Sequence, residues 1–128
     1  MKVLLDTHAL LWFASDDARL GARARGIMAD PATERLLSVA SAWEMAIKVS
    51  ISKLKIEGPF ADWIEGLRTG AAAELLPIEL PDIRRVRELP WHHRDPFDRM
   101  LVAQALERGI PIVTVDPEVA RYGVEVIW

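Results

Sequence analysis

The chain has no cysteine among its 128 residues. This absence excludes a disulfide scaffold, a zinc–thiolate site, an iron–sulfur cluster and catalysis by a thiol. A cysteine-free sequence is typical of a reducing compartment, so we expect a cytoplasmic protein. Any metal that the chain binds must therefore be held by ligands other than thiolates.

Long apolar runs are also missing. The longest uninterrupted apolar stretch is Ala9–Ala14, whereas a membrane helix needs about 18 apolar residues. Asp6 interrupts the N-terminal apolar segment, which makes that segment a poor secretion signal. The sequence therefore predicts a protein without a membrane segment.

There is no excess of basic charge. The chain has 16 Lys and Arg residues against 19 Asp and Glu residues, a formal net charge of -3. Proteins that coat nucleic acid duplexes through bulk electrostatics are usually basic, so that function is disfavoured. Twelve of the 16 basic residues are Arg, which suits local bidentate contacts with phosphate.

The chain does contain an alternation of strand-like and helix-like segments. Its size and its content of 51% hydrophobic and 27% charged residues suit a single globular domain over 1–128. Alternating strands and helices predict an α/β fold with a mostly parallel sheet covered by helices on both faces. The predicted strands are 2–6, 34–38, 74–78, 110–115 and 124–128, and the predicted helices are 7–14, 18–30, 41–53, 60–67, 81–89 and 96–108.

Four acidic residues occupy positions at which such a fold forms its binding site. Ligands of open parallel sheets bind beyond the carboxyl ends of the strands. Asp6 and Asp116 end the first and fourth predicted strands, while Glu44 and Asp98 fall in the first turns of predicted helices. We therefore expect these four carboxylates to converge on one edge of the sheet.

Each of these acids also has a purely structural explanation. Ser41 with Glu44 matches a capping box, and Asp95 with Asp98 has the same spacing. The two acids at strand ends could likewise cap the helices that follow them. Considered one at a time, the acids therefore require no function.

The apolar faces of the two helices that carry Glu44 and Asp98 favour a functional site over simple helix capping. Most positions three, four and seven residues after Asp98 and Glu44 are apolar, so we expect both acids to lead stripes that face the core. These positions are Leu101, Val102 and Ala105 on one helix and Ile47, Lys48 and Ile51 on the other. Burying several ionised carboxylates together is costly unless a cation compensates them. Carboxylate ligands favour hard ions, which predicts a Mg²⁺ or Mn²⁺ site.

Four sequence blocks carry a family resemblance. They are Leu4–Trp12, Ser41–Lys48, His93–Leu101 and Val113–Asp116, and they extend in this order over nearly the whole chain. Together they resemble the PIN-domain ribonucleases, in particular the VapC toxins of toxin–antitoxin pairs. The resemblance implies an α/β/α sandwich and an endoribonuclease that hydrolyses phosphodiester bonds in RNA with Mg²⁺ or Mn²⁺.

The resemblance also implies roles for particular residues. It places the four family acids at Asp6, Glu44, Asp98 and Asp116, with Asp6 and Asp98 binding the principal metal ion. The other two acids would complete the pocket by positioning water or a second ion. Residues that could contact the substrate or support the acids are Thr7, Thr114, Arg99 and Asp95, the last of these being first of all a helix cap.

Other conspicuous side chains are predicted to be structural. His92 and His93 lie in a polar loop and are expected at the surface or in packing contacts. Trp43 occurs in an apolar helical pattern, which favours the core or a protein interface over base stacking. The basic run Arg84–Arg87 is expected to be a solvated face.

The resemblance implies partners as well: a VapB-type antitoxin that blocks the acidic pocket, and a second copy in a homodimer. Operator DNA would be bound by the antitoxin and not by this chain alone. Two alternatives are a structure-specific metal-dependent nuclease and a non-catalytic metal-binding interaction module, although the presence of all four acids disfavours the module. A third, a Mg²⁺-dependent phosphatase, usually has a second acid where this chain has His8.

Overall fold

A computed structural model describes all residues from 1 to 128. The strands are β1 (Lys2–Leu5), β2 (Glu34–Ser38), β3 (Ala73–Leu76), β4 (Ile112–Val113) and β5 (Val126–Ile127). The α-helices are α1 (Thr7–Ala14), α2 (Ala22–Ala29), α3 (Val39–Ser50), α4 (Phe60–Gly70), α5 (Leu80–Glu88) and α6 (Pro96–Arg108), and a 3₁₀ helix covers Pro117–Tyr122. The strands form one parallel sheet in the order β3-β2-β1-β4-β5.

Helices cover both faces of the sheet, which confirms the predicted α/β/α sandwich. In the central strand β1, Val3 and Leu5 join the apolar core beneath α1, α2 and α4, whereas Leu4 joins the core beneath α5 and α6. Successive side chains of a strand point to opposite faces, so a strand buried on both faces is a continuous apolar run. For this reason β1 is recognisable in the sequence.

All the predicted strands and helices are present, and several have shifted ends. Helix α6 has its predicted bounds and ends at Gly109, which adopts the left-handed conformation at φ 63°. Helix α2 is shorter than the predicted 18–30, because Asp17 forms a turn in which its carboxylate accepts a hydrogen bond from the Arg19 N–H. Strands β4 and β5 have only two residues each, because only two residue pairs are in register between them. None of the helices combines the length and apolarity needed to cross a bilayer.

Helix α3 begins two residues before its predicted start, so the predicted capping box is wrong. Its N-cap is Ser38, whose hydroxyl accepts a hydrogen bond from the Ala40 N–H at 3.1 Å. Ser41 is instead buried inside the helix, and its hydroxyl has no hydrogen-bond partner. Glu44 therefore lies in the second turn of α3, and capping does not explain its presence.

The two predicted apolar stripes differ in burial. The stripe that follows Asp98 on α6 is buried as predicted. Ile47 on α3 and Ile51 at its C-cap are exposed instead, and Met45 is buried in their place. Trp43 is also exposed, at 60% of its surface. Both sides of α3 are apolar in sequence, so the pattern alone could not decide which side packs on the sheet.

Gly21 is required by a close approach and not by its backbone conformation. A Cβ atom at this position would lie 2.5 Å from the carbonyl carbon of Trp128. We expect Gly21→Ala to reduce the free energy of unfolding by about 1–3 kcal/mol, because the added methyl would displace the packed backbone and ring of Trp128. Gly26→Ala in α2 is the matched control: no atom lies within 4 Å of its added Cβ. It should stabilise the helix by about 0.5–1 kcal/mol. Urea unfolding of both variants measures the difference, and equal effects would contradict the prediction.

Candidate functional site

The predicted acids meet at one edge of the sheet. Strands β1 and β4 pair in parallel, so the segments that follow them emerge side by side and carry Asp6 and Asp116. Helix α6 brings Asp98 in its first turn, and α3 brings Glu44. These four residues and Asp95 line one cavity of about 210 Å³. The fold therefore brings together the acids that the sequence analysis singled out.

A smaller void of about 20 Å³ is lined by three of the acids, namely Asp6, Asp98 and Asp116, and by Thr114. A void of this size has room for about one water molecule. The hydroxyl of Thr114 accepts a hydrogen bond from the Asp116 N–H at 3.1 Å. Thr114 therefore lies among the acids, as a supporting residue should.

Three of the acids that line the cavity also cap helices. An oxygen of Asp6 accepts the N–H of Ala9 at 2.7 Å, and an oxygen of Asp116 accepts the N–H of Glu118 at 2.9 Å. Asp95 accepts two N–H groups in the first turn of α6 through a single oxygen. Because capping engages one oxygen of each carboxylate, it does not exclude ligand binding by the other.

Glu44 is held from two sides. The buried Thr7 donates a hydrogen bond from Oγ1 to Oε1 of Glu44 at 2.8 Å, and thereby links the start of α1 to α3. The Nζ atom of Lys48 lies 3.7 Å from the other carboxylate oxygen. Lys48 is the only lysine or arginine that lines the cavity, so one fixed positive charge faces five carboxylates.

The electrostatics of the cavity favour a bound cation. Burial raises the pKa of Asp98 to about 6, and the neighbouring negative charges of Asp95, Glu44 and Asp116 act in the same direction. Burial also raises the pKa of Asp6. A cation among these side chains would favour their ionised forms and lower both pKa values.

The oxygen donors suit a hard divalent ion held partly by water. No three acidic or histidine side chains are grouped tightly enough to hold an ion among themselves. Mg²⁺ usually binds proteins through only one or two carboxylates and keeps several waters. Asp6, Asp98 and Asp116 all line the small void, but both oxygens of Asp116 are already engaged in hydrogen bonds. The oxygens of Glu44 are engaged by Thr7 and Lys48, so Asp6 and Asp98 fit that role best.

The structure shows a site contact that the sequence analysis missed. His93 Nε2 lies 2.6 Å from Oδ2 of Asp116, and the side chain is only 11% exposed. The expectation that His93 is merely a surface or packing residue is therefore wrong. Its place in the block His93–Leu101, which also contains Asp98, was the available signal.

Arg99 is not at the site, contrary to its prediction as a residue that could contact the substrate. It is buried, and its guanidinium donates hydrogen bonds to the backbone carbonyls of Pro90, Val86 and Leu89. Arg99 follows Asp98 directly, and successive helix residues point in directions about 100° apart. One can therefore face the cavity while the other holds the preceding loop.

Comparison with known families agrees with this geometry. The sequence pattern of the PIN domain matches residues 3–125. The chain belongs to the PIN domain family. This PIN domain is 28% identical over 125 residues to Ribonuclease VapC22 of Mycobacterium tuberculosis, a match that covers 89% of this chain and 86% of the relative. The resemblance inferred from the four sequence blocks is thereby confirmed.

Solved structures show the same fold. The PIN domain matches a chain of VapBC2 from Rickettsia felis, bound to a promoter DNA fragment, with a TM-score of 0.72, 13% identity and coverage of 98% of this chain and 97% of that chain. For VapBC-1 from nontypeable Haemophilus influenzae the TM-score is 0.68 at 12% identity, with coverage of 98% and 96%. For FitAcB from Neisseria gonorrhoeae it is 0.64 at 17% identity, with coverage of 97% and 95%.

Proposed function

We propose that this PIN domain is the toxin of a toxin–antitoxin pair and acts as a Mg²⁺- or Mn²⁺-dependent endoribonuclease. The observation that carries the proposal is the convergence of five carboxylates, with the pKa of Asp98 raised to about 6, on one cavity at the sheet edge. The relationship to Ribonuclease VapC22 supports RNA as the substrate.

The chain's own residues would divide the work of phosphodiester hydrolysis. Asp6 and Asp98 would bind the cation, which supplies an activated water and a positive charge beside the phosphate when bound. Glu44, fixed by Thr7, and Asp116 would orient water or a second ion. Lys48, which lines the same cavity, would neutralise part of the phosphate charge.

We propose a VapB-type antitoxin as the inhibitory partner. Solved structures of similar fold include VapBC complexes, and the carboxylates of the cavity would attract a basic side chain from such a partner. The net charge of -3 supports the expectation that this chain does not bind operator DNA by itself.

We propose a homodimer formed through the outer face of α3. Four exposed apolar residues follow this face at every fourth position, namely Val39, Trp43, Ile47 and Ile51. None of the exposed residues of α3 is charged, so two copies can meet there without repulsion between like charges.

The substitution Ile47→Glu should convert the dimer to a monomer, because each copy would bring a carboxylate to an apolar contact. Sedimentation at several protein concentrations measures this. Ile83→Glu is the matched control, since Ile83 is exposed on α5 and should leave the dimer intact. A wild-type protein that is monomeric at all concentrations would contradict the proposed dimer.

Cleavage of a mixed single-stranded RNA pool tests the proposed function. We expect cutting with Mg²⁺ or Mn²⁺ and none with chelator. A duplex DNA substrate and a phosphate monoester serve as comparisons for the alternative nuclease and phosphatase. Metal binding without cutting of any substrate would contradict the proposed nuclease activity and favour the non-catalytic interaction module.

A further inference from the structure

His93 makes the closest contact to the acidic site outside the predicted set. Its Nε2 atom lies 2.6 Å from Oδ2 of Asp116, and its Nδ1 atom lies 2.9 Å from the hydroxyl oxygen of Tyr122. Both ring nitrogens are therefore engaged, and only one of the two partners belongs to the acid cluster. The tyrosine comes from the 3₁₀ helix that Asp116 caps.

These two contacts restrict the arrangement of protons, because Nε2 of His93 has to donate to an ionised Asp116. An ionised carboxylate can only accept hydrogen bonds, so the neutral ring must carry its proton on Nε2 to bond Asp116. The Nδ1 atom then accepts the hydrogen of the Tyr122 hydroxyl. The result is a directed chain from Tyr122 through His93 to Asp116, in which each donor has an acceptor.

The loop of residues 90–95 holds the imidazole in place. At its start, the guanidinium of Arg99 bonds the carbonyl of Pro90 at 2.8 Å and lies against the Trp91 ring, 3.8 Å from its centroid. At its end, Asp95 caps α6. In between, the His93 ring stacks on Tyr122 with 5.5 Å between the ring centroids. The loop is thus anchored on both sides of the histidine.

We propose that His93 is a positioning residue that fixes the carboxylate of Asp116 toward the acidic cavity. Asp116 already uses one oxygen to cap the 3₁₀ helix through the Glu118 N–H, and His93 bonds the other. Two donors on two oxygens prevent the carboxylate from rotating. Each oxygen has a second lone pair that remains available to water, a cation or substrate.

This inference rests on the proposed function, because it gives Asp116 a part in the site. Hydrogen-bond partners orient the carboxylates and imidazoles that surround a metal ion. Loss of such a partner typically lowers metal affinity or activity by about 10–100-fold. The largely buried side chain of His93 and its two polar contacts agree with such a role. A histidine that served only packing would need neither contact.

The substitution His93→Leu keeps a side chain of similar bulk and removes both hydrogen bonds. We expect Mn²⁺ affinity, measured by calorimetry, or the rate of RNA cleavage to fall by about 10–100-fold. The conservative variant His93→Gln retains an N–H that can reach Asp116 and should recover most of the loss.

Tyr122→Phe removes only the hydroxyl and should have an intermediate effect. His92→Leu is the matched control, because His92 makes an edge contact with Tyr122 but is outside the chain of hydrogen bonds, and it should change neither value by more than about twofold.

A spectroscopic readout that does not depend on activity completes the test. The ¹⁵N spectrum of the wild-type protein, assigned to His93 by comparison with His93→Gln, should show Nε2 protonated. A neutral ring protonated on Nδ1, or unchanged Mn²⁺ affinity and cleavage rate in His93→Leu, overturns the proposal. Mn²⁺ binding without RNA cleavage by the wild-type protein overturns only the proposed function, because the affinities of the variants still test His93. Absence of Mn²⁺ binding by the wild-type protein overturns both.

Discussion

Asp98→Asn is expected to slow RNA cleavage strongly while making the folded protein more stable at neutral pH. The substitution keeps the shape of the side chain and removes the charge that would bind the cation. Metal assistance is worth several kcal/mol in such reactions, so the rate should fall on the order of 10³-fold. The gain in stability follows because the half-buried carboxylate lies among other negative charges that raise its pKa to about 6.

The sign of the pH dependence follows from that pKa. An unfolded aspartate titrates near about 3.9. Between this value and about 6 the folded chain keeps a proton that the unfolded chain has lost. Stability therefore falls as the pH rises through this window. Asp98→Asn does not titrate, so its advantage should be present at pH 7 and vanish below about pH 4. Because Asp98 is partly exposed, we expect Asp98→Asn to raise the free energy of unfolding at pH 7 by only about 1 kcal/mol.

Thermal unfolding with and without Mg²⁺ provides the matching measurement. If Mg²⁺ binds the folded site as proposed, it should raise the Tm of the wild-type protein and have little effect on Asp98→Asn. Asp62→Asn serves as the control, because Asp62 lies in α4 and does not line the cavity. Undiminished cleavage by Asp98→Asn would rule out its proposed role as a metal ligand.

Arg108→Met is expected to have the largest effect on stability. The guanidinium of Arg108 bonds both oxygens of Asp82, at 2.7 and 3.3 Å, and the Asp82 side chain has no exposed surface. Removing one partner of a buried ion pair leaves an uncompensated charge and costs about 3–5 kcal/mol. The free energy of unfolding of a whole domain is only about 5–15 kcal/mol, so the loss is large.

A neighbouring ion pair provides the control for Arg108→Met. Arg85 and Glu107 also join α5 to α6, but their side chains are 40% and 34% exposed. Arg85→Met should therefore cost less than about 1 kcal/mol. Urea unfolding at pH 7 compares the two variants, and similar losses would show that burial does not determine the strength of these pairs.

The pH dependence of Arg108→Met has a definite sign. Burial alone would raise the pKa of Asp82, but the hydrogen bonds from Arg108 and from the Glu79 N–H hold it below its usual value. In the wild-type protein this stabilisation is present above about pH 3.9 and is lost as the pH falls further. Without Arg108, burial should dominate, and protonation of Asp82 should reduce the deficit of the variant in acid.

The main elements of the fold could be predicted because the relevant signals are local. A buried strand such as Val3–Leu5 is apolar without interruption, and α6 has a proline at its start and Gly109 at its end. The same locality explains why Asp6 and Asp98 could be placed, since each marks the end of a strand or the start of a helix. The PIN domain family could be recognised because four short blocks occur in a fixed order.

Tertiary packing determined what these local signals left open. Helix α3 has two apolar sides, and only its docking on the sheet decides that Met45 is buried and Trp43 exposed. Arg99 follows Asp98 along the chain, yet it holds a loop instead of facing the cavity. His93 reaches Asp116 across 23 residues because the fold brings a loop against the segment after β4. Local propensity reflects a residue's neighbours in the chain, whereas contacts such as these exist only once separate elements have packed.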